Sequence, residues 1–229
     1  MTRIITKTLV VATLILFCSL LHANAQVSPA AAGTNLFCQD ADLILPPAAL
    51  GQEWIVRYSV TSTTMPSTPV TLSGGTKILA ADLKTGYYYL SSKATTAGAC
   101  ESDMQEIPVY VLKPLVVNFT AADFCVESPQ TQKGSVTNPE DPTITSLAYQ
   151  WYTVTGGSET AIAGENRKDY TPATPTVGTK TYRLKVGYVI NGNKYCPQTA
   201  DHDVTVSAKP SKPTITPAQI TGTAGAVTF

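Results

Sequence analysis

The residues best suited to chemistry in this chain are few and scattered. His202 stands between Asp201 and Asp203. A serine-type triad needs a carboxylate that orients the imidazole. Here both carboxylates are direct chain neighbours on a β-rich run, so they project to the face opposite the ring. A zinc site would need further ligands, and His202 is the only histidine after residue 25. Asp40-x-Asp42 and Glu140-Asp141 are the densest acidic groups. Calcium takes six or more oxygens from a defined loop, and neither run approaches that density. Gly74-Gly75 and Gly156-Gly157 read as turns, because no helix or Lys-Ser/Thr follows as a phosphate loop requires. These residues point to no catalytic group, no metal and no cofactor.

The cysteines carry a stronger signal. Residues 1–25 read as an export signal. Arg3 and Lys7 are followed by the apolar run Leu9–Phe17, then by Ala23-Asn24-Ala25 as a small-x-small cleavage pattern. Phe17 stands before Cys18 where a lipoprotein pattern wants a small residue. The apolar run is short for a membrane span, and no later segment is longer, so no transmembrane segment is expected once the signal is removed. Cys38, Cys100, Cys125 and Cys196 then remain. An even number of cysteines in an exported chain, without a CxxC pair, reads as two disulfides. Four cysteines allow three connectivities.

The elements that must hold these residues are strands. Thr, Ser, Val, Gly and Pro are abundant and helical patterning is nearly absent. Removing Arg3 and Lys7 with the signal leaves 14 cationic against 16 anionic side chains, a net charge of about −2. Nucleic acid is thereby disfavoured as a partner. The chain also repeats. Trp54 and Trp151 are 97 residues apart, Tyr87 and Tyr182 are 95 apart, and Cys100 and Cys196 are 96 apart. Lys113-Pro114 and Lys209-Pro210 are also separated by 96. Only Cys38 and Cys125 break the rhythm, at 87. About ten extra residues therefore fall in Gln130–Ser146, which reads as a long polar loop. A period near 95 fits a whole domain. Tyr182, Leu184 and Val186 share one face of a strand, with Arg183 and Lys185 on the other. Asn191-Gly192-Asn193 is a hairpin signal.

Cys, Tyr149-Gln150-Trp151-Tyr152, Asp169-Tyr170-Thr171-Pro172, Thr181–Val186, Asn191–Cys196 and Val204-Thr205-Val206 follow one another in order. This order resembles the immunoglobulin-like modules found in tandem in large bacterial surface and adhesin-like proteins. It covers nearly all of 115–209 and, more loosely, 35–114. The resemblance implies an all-β fold of two tandem immunoglobulin-like antiparallel β-sandwiches, each with one intradomain disulfide. It implies the pairs Cys38–Cys100 and Cys125–Cys196, the one connectivity that keeps each bond inside a repeat. It also makes Trp54, Tyr87, Trp151 and Tyr182 core anchors.

The expected organisation is a signal peptide at 1–25, sandwich one at 26–114 and sandwich two at 115–209. Residues 210–229 follow as a linker and an orphan strand, Ala226–Phe229, that reads as the start of a third module. The expected function is that of a secreted or cell-surface, non-enzymatic module, a spacer or adhesion unit with a protein or glycan partner. Function on such folds sits in loops, and Gln130–Ser146 is the first candidate. A glycan-binding module using Tyr88, Tyr149 and Tyr152 is the alternative. An accessory region of a secreted hydrolase is the remote one.

Overall fold

The structure is a computed structural model that describes residues 26–214. The export signal and the strand expected at Ala226–Phe229 lie outside the described residues. Fourteen strands follow in order: β1 (Asn35–Cys38), β2 (Leu43–Ile44), β3 (Gln52–Ser59), β4 (Thr68–Val70), β5 (Lys77–Ile78), β6 (Gly86–Ala94), β7 (Gln105–Leu112), β8 (Val116–Thr120), β9 (Phe124–Cys125), β10 (Lys133–Thr137), β11 (Leu147–Thr155), β12 (Ser158–Ala161), β13 (Gly178–Ile190) and β14 (Asn193–Ser207). Among the described residues no helix is long and apolar enough to cross a membrane.

Strand order shows the repeat directly. One five-stranded sheet runs β1-β7-β6-β3-β4 and the other runs β9-β14-β13-β11-β12. In each, the strand ending in the first cysteine lies parallel to the last strand of its repeat. Next come the late Tyr strand, the Trp strand and a short edge strand. This is the G-F-C order of an immunoglobulin sandwich, extended by one strand at each edge. Two-stranded sheets, β2-β5 and β8-β10, supply the opposing layers. The fold is thus all-β, with two immunoglobulin-like sandwiches.

The two compact units are not two consecutive stretches of chain. Unit one holds the described residues through Val116, together with Val136–Ala148 and Val186–Gln198. Unit two holds Val117–Ser135, Tyr149–Lys185 and the described residues from Thr199. Strands β13 and β14, 13 and 15 residues long, therefore contribute to both. Asn191 and Gly192 join them with φ of 50° and 80°. Positive φ at both central residues is what a type I′ hairpin turn requires.

Alternation explains the core of unit one. Val56 of β3, Tyr88 and Leu90 of β6 and Val109 of β7 face Leu43 and Ile78 of β2 and β5. The other face of β6 is also covered. Tyr87 and Tyr89 are buried with Val27, against which Tyr110 packs. Gln26 forms an antiparallel bridge with Thr61, which holds this first described segment in place. Gly86 is required by a close approach, since a Cβ there would lie 2.5 Å from the Tyr58 ring.

In unit two, Trp151 is fully buried. Its ring meets Phe119 edge-on at 4.8 Å and Tyr170 at 5.5 Å, and Tyr170 in turn packs on Tyr182 at 5.5 Å. The indole N–H donates to the Arg167 carbonyl at 3.0 Å, so the buried polar end is satisfied. Buried Gln132 is satisfied as well. Its Oε1 accepts from the Ala122 N–H, and its Nε2 donates to the Ala122 and Gln130 carbonyls. Trp54 differs from its counterpart. It is half-buried, packed at the margin of the first core, with its N–H on the Pro46 carbonyl at 2.8 Å.

The cysteine pairing departs from the expected one. Cys38 is bonded to Cys196, 158 residues away, with Cα atoms 5.4 Å apart. Cys100 and Cys125 are free. The reason is placement. Cys196 lies in Val186–Gln198, the hairpin tip that belongs to unit one, and so reaches Cys38 within that unit. The intradomain pairs Cys38–Cys100 and Cys125–Cys196 are both replaced by this one bond.

Candidate functional site

Gln130–Ser146, expected as a free contact loop, is largely structural. Residues 133–137 form β10, and Glu140 and Ile144 are buried in unit one. Asn138 builds the bend, taking the Glu140 N–H on Oδ1 at 2.9 Å and donating to the Ile144 carbonyl at 2.5 Å. The Glu140 carboxylate then accepts from the Tyr110 hydroxyl at 2.7 Å and the Lys113 N–H at 3.0 Å. Burial and the Glu140 hydrogen bond raise the Tyr110 phenol well above its ordinary value. Tyr188 donates to the Lys113 carbonyl at 2.9 Å, and burial pushes it up to about 12. Glu140 of the acidic pair is therefore an internal acceptor, while Asp141 is exposed. Asp42 is likewise occupied, accepting from the Ala80 N–H at 2.7 Å and pairing with Lys77 at 3.2 Å. No group of three His, Cys, Asp or Glu gathers around a metal-sized site among the described residues.

The aromatic candidates separate into two kinds. Tyr88 is only 1% exposed and is a core residue, so it offers no ring face to a glycan. Its hydroxyl accepts from the Lys84 N–H at 2.8 Å, and burial lifts it to about 12. It closes the wall of a cleft of about 320 Å³ that Tyr58, Thr68, Thr71, Asp82 and Lys84 also line. Tyr149 and Tyr152, on β11, are half-buried. Lys185 sits over the Tyr152 ring at 4.7 Å from its centroid. Of the expected core anchors, Tyr87, Trp151 and Tyr182 are buried.

Two surfaces remain that combine charge with access. On β13, Arg183 makes a two-point contact with Asp201, at 2.7 and 2.6 Å, and reaches Glu159 at 3.0 Å. Glu159 also pairs with Lys185, and Thr181 donates to Asp203 at 2.6 Å. The Arg183 guanidinium holds Asp201 below the usual carboxylate range, and Lys185 with Arg183 does the same for Glu159. With Lys185 over Tyr152, this is a charged, aromatic-backed patch in unit two. The second surface is a cleft of about 500 Å³ in unit one, lined by Arg57, Met65, Pro66, Glu101 and Met104. Arg57 and Ser91 both hold Glu101, whose carboxyl falls to about 2, chiefly through Arg57.

His202 is half-buried rather than solvated. Its Nε2 lies 2.7 Å from the Asn118 Oδ1, and its ring meets Phe119 edge-on at 4.6 Å. The sequence carries a signal for the hairpin that reaches into unit one. The β-rich run Lys180–Ile190 is long for one strand, and it is matched in the same repeat by the ten-residue expansion.

No family model matches the chain, and no curated protein does. Among solved structures, it is similar to the N-terminal four Ig domains of Dscam1 isoform 6.9, at 15% identity over 81% of this chain and 47% of that one, with a TM-score of 0.29. It is similar to the amphioxus IgVJ-C2 molecule at 14% identity, covering 75% of this chain and all of that one, with a TM-score of 0.31. It is also similar to the fibronectin(III)-like modules of Clostridium thermocellum CbhA, at 13% identity over 80% and 94%, with a TM-score of 0.33. The chain spans less than half the length of the Dscam1 structures. The fold assignment rests on the strand order above.

Proposed function

We propose that this chain is a non-enzymatic extracellular spacer or adhesion unit, exported by the signal at 1–25 and built from modules at 26–114 and 115–209. The observation that carries the reading is the Cys38–Cys196 bond. A disulfide of this kind belongs to an oxidising compartment. It closes a loop of 158 residues, so tension applied to the chain ends cannot extend the residues inside that loop while the bond is intact. The same closure removes unfolded-chain entropy worth on the order of 5 kcal/mol. The internal polar groups support the reading, because buried Glu140 and Gln132 and half-buried His202 are each engaged with partners inside the chain.

Single-molecule stretching from the two ends tests this. The oxidised chain should show no lengthening from the residues inside the closed loop. With reductant, it should lengthen by about 500 Å, at roughly 3.3–3.6 Å per released residue. Equal extensions in both conditions contradict the reading. A glycan-binding role is the second reading, and Tyr152 beneath Lys185 favours it. It expects glycan-array binding that disappears in Tyr152→Ala.

A further inference from the structure

The two repeats place their cysteines at matching positions. Cys38 ends β1 and pairs in register with Leu112 of the last strand. The next N–H, of Gln39, donates to the Leu112 carbonyl at 3.0 Å, and the Ala41 N–H returns to the Cys38 carbonyl at 2.9 Å. Cys125 ends β9 in the same way. It pairs with Ser207, the Val126 N–H donates to the Ser207 carbonyl at 3.0 Å, and the Ser128 N–H returns to the Cys125 carbonyl at 2.8 Å. Both corner cysteines are half-exposed. The other two are hairpin cysteines, 96 residues apart, each between the late Tyr strand and the Lys-Pro pair of its repeat. Cys100 is exposed and held at a defined place, because its neighbour Glu101 is bridged to Lys93 and bonded to Arg57.

The Cys38–Cys196 disulfide joins the corner of the first repeat to the hairpin of the second. That arrangement leaves the corner of the second repeat, Cys125, and the hairpin of the first, Cys100, as free thiols. We propose that these are the two halves of the same bond between molecules. Cys125 of one copy and Cys100 of a second copy form a disulfide, head to tail. Such a contact is heterologous, so each copy keeps one thiol for the next and the bond propagates from copy to copy.

The chemistry is thiol–disulfide exchange. The Cys125 thiolate attacks a small-molecule disulfide such as oxidised glutathione, forming a mixed disulfide and releasing one thiol. The Cys100 thiolate of the second copy attacks the Cys125 sulfur and expels the second thiol. Two protein thiols are oxidised, one external disulfide is reduced to two thiols, and the protons lost from the cysteines end on those thiols.

The inference goes beyond the spacer reading, and its readout is a mass, so either can fail without the other. The full chain, exported from an expression host, is incubated with oxidised glutathione and run without reductant. A ladder of multiples should form and collapse on reduction. Cys100→Ser and Cys125→Ser should each stay monomeric alone. An equimolar mixture should give a dimer and nothing larger. Peptide mass should show Cys38–Cys196 intact in both variants, and alkylated native chain should not oligomerise. Dimers of a single variant, a monomeric mixture, or an internal Cys100–Cys125 bond in the native chain overturns the proposal.

Discussion

The two five-stranded sheets have the same strand order but treat their outer faces differently. In the first, Tyr87 and Tyr89 point away from the sandwich and are nevertheless buried, under Val27 and beside Tyr110. In the second, the equivalent face carries Arg183, Lys185, Asp201 and Glu159, all partly exposed and paired with one another. A strand buried on both faces is a core element, whereas one with a charged outer face keeps that surface free for contact. The difference follows from side-chain type. Three consecutive tyrosines on β6 need cover on both sides, and alternating Arg and Lys on β13 need none.

Substitutions on the two faces should separate in size. Tyr89→Ala removes a ring whose hydroxyl bonds Glu106 and the Thr63 N–H, both at 2.7 Å, and should cost about 3–5 kcal/mol in urea denaturation. A loss below 1 kcal/mol would mean that this face is not a core. Val27→Asp places a carboxylate in the same cluster and should cost about 2–3 kcal/mol by the same measurement. Glu140→Ala strands the Tyr110 hydroxyl and the Lys113 N–H, at a cost of about 1–3 kcal/mol. Arg183→Ala, on the open face, should leave the midpoint unmoved, because exposed ion pairs contribute little.

Acid sharpens the same comparison by the smallest effect. Glu101 titrates at about 2 in the folded chain against an ordinary 4.5. A lowered folded value means that its pairing with Arg57 stabilises fully above pH 4.5 and is lost as pH falls towards 2. Thermal midpoints should decline modestly across that window. The Glu101→Gln chain should show a shallower decline there, and an identical slope would argue against the pairing.

Much of the architecture was legible in the sequence. The Trp, Tyr and Lys-Pro spacings gave two copies of one strand order. Alternation at 182–186 placed Arg183 and Lys185 outside, as found. Trp151 and Tyr182 sit in the core as their motifs imply. What was not legible depends on which segments meet. A repeat makes Cys100 and Cys196 equivalent but does not say which corner a hairpin tip reaches. Glu140 looked like a solvated loop carboxylate because its donors, Tyr110 and Lys113 N–H, lie some 30 residues back. Alternation with Tyr87 turned Tyr88 outward in the sequence, whereas Tyr88 faces Leu43 and Ile78 in the core and Tyr87 is buried on the opposite face by Val27.

The measurement that bears most directly on this account is disulfide mapping. Alkylated, non-reduced peptides from the oxidised chain should link the fragments carrying Cys38 and Cys196, with Cys100 and Cys125 absent from any bond inside one molecule. Fragments linking Cys38 to Cys100 and Cys125 to Cys196 would contradict it, and would return each bond to its own repeat.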